Sequence, residues 1–123
     1  MTVWVCQKPK SGPHGHTYDV SPAQEYGTIR FIFDAYENPS SRPDEAYTKI
    51  YDLLDKEFND ETDYIVWAGG DPFGLYLAGV AFGSLGIKPK WLRFERLRTP
   101  PSPGDTREVP RPGYYVPVHV NSF

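Results

Sequence analysis

Two adjoining glycines, then Asp71 and Pro72, stand between an apolar run, Tyr64–Ala68, and a long stretch without charge. A strand–Gly-Gly–helix junction can turn several backbone N–H groups toward one point, and the helix dipole adds to their pull on an anion. Gly69, Gly70 and Asp71 therefore form a candidate anion- or nucleotide-binding turn. Against this, neither GxGxxG nor GxxxxGK[ST] is present, and Asp71 brings its own negative charge to the helix start. The plainer reading is a tight turn with Asp71 as N-cap and Pro72 at the first helical position.

Other chemistry-bearing residues give less. His14 and His16 lie two apart in a Gly- and Pro-rich segment, with Asp19 and His119 as candidate third ligands for a transition metal. Surface histidines on a loop are the commoner cause of that spacing, so no metal and no other cofactor is expected. There is no Ser-His-Asp order, nucleophile elbow or catalytic carboxylate pair. No catalytic residue is assigned and no enzymatic activity is expected. Cys6, in an apolar run, reads as an inert core thiol. Toward the C-terminus Trp91, Arg93, Arg98, Arg111, Tyr114 and Tyr115 interleave aromatics and arginines with prolines, the composition of a protein interface. The alternative is an aromatic strand lying beneath its own loop.

Five strands and two helices must position these residues. Val3–Cys6, Thr28–Ala35 and Tyr64–Ala68 are apolar or β-branched runs, the first expected to be buried on both faces and the third central in a parallel sheet. Trp91–Leu97 and Tyr114–Val120 alternate, and Pro117 restricts the last to an edge or a bulge. A first helix begins near Ser41, read as N-cap with Asp44 as capping-box partner, and carries Ala46, Ile50, Leu53, Leu54 and Phe58 on one face. The second helix, Pro72–Leu85, has no charged side chain, which predicts burial on nearly every side or docking on a partner. Its Gly74, Gly79 and Gly83 each cost about 0.8–1 kcal/mol relative to Ala, which predicts close backbone packing. The fold class is α/β: a small mixed sheet of about five strands, a βαβαβ core and a C-terminal antiparallel edge strand.

Composition narrows the function class. At 123 residues the chain is read as one domain, 1–123, with a Pro-rich loop or arm over 98–113. Aromatics make 15%, and 11 glycines and 13 prolines imply long, stiff connections around an ordered core. A net charge of −3 argues against binding a nucleic-acid backbone. A single cysteine excludes a disulfide framework. No basic region followed by an apolar run opens the chain, and the longest apolar stretch is too short for a bilayer, so neither secretion nor a membrane is expected, and the cytoplasm is.

Three short motifs carry a resemblance: Asp19-Val20-Ser21-Pro22-Ala23 with Tyr26-Gly27, then Asp63-Tyr64-Ile65 with Gly70-Asp71-Pro72, then Tyr115-Val116-Pro117-Val118. In these the chain resembles a group of small tailed-bacteriophage proteins. It departs from them in a Pro-rich insert at 99–113 and in a Gly-rich second helix where the group has an Ala-rich one. The resemblance implies a viral origin and no catalytic residues. The expected function is a non-enzymatic phage accessory protein that binds, and inhibits or redirects, a host protein in takeover or counter-defence, or that self-associates. The alternative is a small protein that binds or sequesters a nucleotide or phosphate at Gly69-Gly70-Asp71.

Overall fold

The computed structural model describes residues 1–12, 15–16, 19–67, 71–96 and 113–119. Its sheet has five strands: β1 (Thr2–Gln7), β2 (Thr28–Phe33), β3 (Tyr64–Val66), β4 (Lys90–Arg96) and β5 (Gly113–Val118). Their spatial order is β2-β1-β3-β4-β5. The first four are mutually parallel, and β5 runs antiparallel to β4 at the edge. The mixed five-stranded sheet, with β3 inside it and β5 at its rim, is the architecture the sequence predicts. A two-residue ladder, Ser11–Gly12 with Gly15–His16, stands apart from it.

Two helices connect the parallel strands, α1 (Pro43–Glu57) from β2 to β3 and α2 (Pro72–Leu85) from β3 to β4. Both crossovers travel the same way across the sheet, so one handedness of connection puts both helices on one face. There Ala46, Ile50 and Leu54 of α1 and Leu77, Ala78, Ala81 and Phe82 of α2 pack on Trp4, Cys6, Ile32 and Ile65. The link from β1 to β2 travels the other way. It places a short 3-10 segment, Ser21–Tyr26, so that Val20 and Ala23 cover Val3, Val5, Val66, Leu92 and Tyr115 on the opposite face. Alternate residues of β1 thus enter two different clusters, which is why the whole strand is apolar.

Asp63 pins the amino ends of β1 and β3. Its Oδ1 accepts from the Thr2 N–H (2.9 Å) and the Thr62 hydroxyl (3.1 Å), and its Oδ2 from the Trp4 indole (3.1 Å) and the Asn59 N–H (3.0 Å). Burial pushes this carboxyl up, but the four donors outweigh it and hold the pKa below the usual carboxylate value.

Three local expectations are corrected. Ser41 does not cap α1: the flanking residue is Arg42, with no side-chain cap, and the Ser41 hydroxyl donates to the Asn38 carbonyl in a preceding 3-10 turn, Pro39–Ser41. Nor is α2 buried all round, because the sheet and α1 cover only two of its sides. Gly79 and Gly83 are exposed, and a Cβ added at either would meet nothing within 4 Å. Only Gly74 is packed, with an added Cβ falling 3.7 Å from Pro39 and 3.9 Å from Cys6. Gly86 ends the helix at φ 71°, a left-handed conformation that glycine adopts without steric cost.

Candidate functional site

At the carboxyl ends of β1 and β3 the chain folds into the junction singled out by sequence. The order 2-1-3-4 is that of a common doubly wound sheet, whose ligands gather where neighbouring strands send their connections in opposite directions, here between β1 and β3. Gly69 and Gly70 lie outside the described residues. Asp71 caps α2: Oδ1 accepts from the Phe73 N–H at 3.0 Å and Oδ2 from the Ser40 N–H at 3.2 Å. Partial burial raises its pKa, and the N–H groups of Phe73 and Ser40 more than offset that, leaving it below the usual range. Buried Gln7 holds the junction from below. Its Oε1 accepts from the Asp71 N–H at 2.7 Å, and its Nε2 donates to the Asp34 and Glu37 carbonyls. The negative end of an N-cap therefore already stands where an incoming anion would have to sit.

A second region is apolar. Trp91, Arg93 and Glu95 of β4 pair with Val118, Val116 and Tyr114 of β5, so these six side chains share the helix-side face of the sheet. α2 reaches only the near part of it. Trp91 is half-buried, with its ring edge-on to Phe82 (6.3 Å) and to Trp67 (5.1 Å, 76° between planes). Trp67, just past β3, is 60% exposed, and Tyr114 is 43% exposed. Arg93 is exposed and ion-paired with Glu95. Between α2 and Trp91 runs an open groove of about 420 Å³ lined by Gly79, Phe82, Gly83, Ile87 and Pro89.

Of the residues expected to meet a partner, the structure brings Trp91, Arg93 and Tyr114 onto one face. Arg98 and Arg111 lie outside the described residues. Tyr115 is corrected: it is 2% exposed and faces the other side, where its hydroxyl donates to the Asp19 carbonyl and the Tyr26 hydroxyl donates to the Tyr115 carbonyl. Burial and the nearby Asp19 charge push its pKa up to about 12. Trp67 was missed as a surface residue. It ends the most apolar run in the chain, and in sequence an end-of-strand tryptophan looks like core.

The remaining candidates are quickly placed. His14 lies outside the described residues, and among those described no cluster of His, Cys, Asp and Glu is arranged to hold a metal ion. Cys6 is buried, and burial pushes its thiol up to about 12. No helix among the described residues is long and apolar enough to cross a membrane.

Residues 1–97 match the family described as Phage Pam3 gp32-like protein, and the chain belongs to that family. It is a bacteriophage protein, the origin that the resemblance implies. The match ends at Leu97, so β5 and the Pro-rich segment lie beyond it. Neither the curated proteins nor the solved structures give a match to this chain.

Proposed function

We propose that this phage-family protein acts without catalysis, by binding a protein of the bacterial host and inhibiting or redirecting it. The supporting observation is the face of the sheet beyond α2, where a 60% exposed Trp67 stands edge-on to Trp91, with Val118 paired to Trp91 and the exposed Tyr114 further along the same face, past the Arg93–Glu95 ion pair. Large exposed aromatics with an arginine among them are the residue types that carry most of the energy at protein interfaces. A tryptophan more than half in water contributes little to its own fold, and large aromatic surface left exposed in this way commonly marks an association site. The occupied N-cap at Asp71 weighs against the rival reading of a nucleotide- or phosphate-binding protein.

The test is affinity capture from host lysate with the wild-type chain and with a Trp67→Ala/Tyr114→Ala double variant, followed by mass spectrometry and a thermal melt of each bait. One stoichiometric host protein should be held by wild type and lost by the double variant, whose melting temperature stays within a few degrees. Equal capture by both baits would reject this face. A nucleotide released on denaturing the wild-type protein, with no host protein retained, would move the function to the Gly69–Asp71 turn.

A further inference from the structure

The outer surface of α2 carries a pattern that neither its own fold nor a host-binding face beyond it requires. Tyr76, Gly79, Val80 and Gly83 form one stripe, since residues three, four and seven apart share a helix face. Tyr76 is 63% and Val80 40% exposed, and both glycines are exposed with open space where a Cβ would project. Along 14 residues there is no charge. A surface helix in water ordinarily turns charged and polar side chains outward, and two interior glycines lower its stability with no internal contact in return.

The order of large and small residues in the stripe is self-complementary. Bring a second α2 against the first, antiparallel, with a two-fold axis between Gly79 and Val80. Tyr76 of each copy then lies opposite Gly83 of the other, and Val80 opposite Gly79. Both large side chains meet a position with no side chain, and the stripe itself carries no charge; among the described residues the one charged residue on the groove is Lys88, at its rim beyond the helix. The hollow beside Gly83 is the open side of the 420 Å³ groove, whose walls include Gly79, Phe82 and Ile87. A cavity of that size readily takes one aromatic ring. The tyrosine that would fill it is 63% exposed and stacks on its neighbour Phe73, with ring centres 5.6 Å apart.

We propose that α2 is the seam of an isologous homodimer, a second copy of this chain being the partner. A two-fold contact requires one patch to fit itself, and the stripe does so residue by residue. A helix of 14 residues is about 21 Å long, so a seam built on it falls among the smaller specific interfaces, below about 1,200 Å² in total. Such a dimer forms and dissociates with concentration. The seam does not rest on the host-binding reading, since Trp67, Tyr114 and Arg93 lie outside the stripe; the two faces adjoin at Trp91, which also lines the groove.

Sedimentation velocity on the full chain, from low micromolar to near-millimolar concentration, tests the seam. The expected result is a monomer giving way to a species of twice its mass. Gly83→Leu should weaken the dimer at least tenfold while leaving the melting temperature of the monomer unchanged or raised, because a Cβ there meets nothing within 4 Å and leucine is the better helix former. Tyr76→Ala, which removes the knob and leaves the hollow, should weaken it similarly. A wild-type chain that stays monomeric throughout overturns the proposal. A dimer unaffected by both folded variants overturns the seam, whatever the lysate capture returns.

Discussion

Replacing Asp63 by Ala removes an acceptor for four donors and takes no apolar contact away. The Trp4 indole N–H suffers most, because Trp4 is fully buried and no water can substitute for the lost carboxylate oxygen. A buried donor left without a partner costs about 1–3 kcal/mol. The N–H groups of Thr2 and Asn59 are only part-buried, so their bonds to a charged acceptor are lost at a smaller net cost of about 0.5–1 kcal/mol each. A total near 3 kcal/mol follows, a large share of the ~5–15 kcal/mol that stabilises a domain. It corresponds to a fall in melting temperature of roughly 10 °C for a chain of this length. Urea unfolding followed by far-UV circular dichroism at neutral pH measures it. Asp63→Asn keeps the shape but sets an amide NH₂ against two of the donors, so it should lose nearly as much. Trp4→Phe should cost less in the Asp63→Ala background than in wild type, by about 1 kcal/mol, since the orphaned donor leaves with the indole. The pH dependence has a definite sign. Asp63 has a folded pKa below its unfolded one, so its contribution is complete above the unfolded value and is lost as pH falls through the folded value. Wild type and Asp63→Ala should therefore converge in acid. A loss under about 1 kcal/mol at neutral pH, or a gap that widens in acid, would refute the assignment of Asp63 as the pin of β1 and β3.

Two further outcomes follow from local geometry. Asp71→Ala should destabilise by about 1 kcal/mol through loss of the α2 cap, with Asp71→Asn retaining most of it; equal loss in both would show that the charge, not the cap, matters. Cys6, with its thiol pushed up to about 12 and its side chain buried, should resist thiol reagents at mildly alkaline pH until the protein unfolds, so rapid labelling of the native protein would contradict its placement in the core.

Much of the fold is legible because its elements are locally determined. β2 is a β-branched and aromatic run, β4 and β5 alternate, and α2 opens with an aspartate and a proline where a cap and a first turn are needed. The strand order is not local. β1 lies between β2 and β3, which are joined directly by α1, and nothing in the composition of Val3–Cys6 beyond its unbroken apolarity says so. Asp63 is unread for the same reason: its partners Thr2 and Trp4 are 61 and 59 residues away. Ser41 misleads because two prolines, 39 and 43, each open a helical turn. The hydroxyl closes the earlier turn onto Asn38 and so is not free for the later one.

The surface is where pattern and structure part, and the direction of the errors is informative. Tyr114 and Tyr115 have equal claims in sequence. What separates them is the Ser21–Tyr26 segment, which covers one face of the sheet and draws Tyr115 under it through Tyr26 and Asp19. Conversely, an uncharged helix with three glycines and an aromatic run ending in Trp67 both read as interior, because in water such residues ordinarily are. The structure puts Tyr76, Gly79, Val80, Gly83 and Trp67 outside. Residues with the composition of a core and the position of a surface leave apolar area in water without packing against it, a state that is relieved when another molecule supplies the packing. The two exposed faces, the α2 stripe and the half of the sheet beyond it, differ in the residues they present. The stripe is complementary to itself about a two-fold. The sheet face instead sets Trp67 and Trp91 edge-on, with the Arg93–Glu95 ion pair between Trp91 and Tyr114.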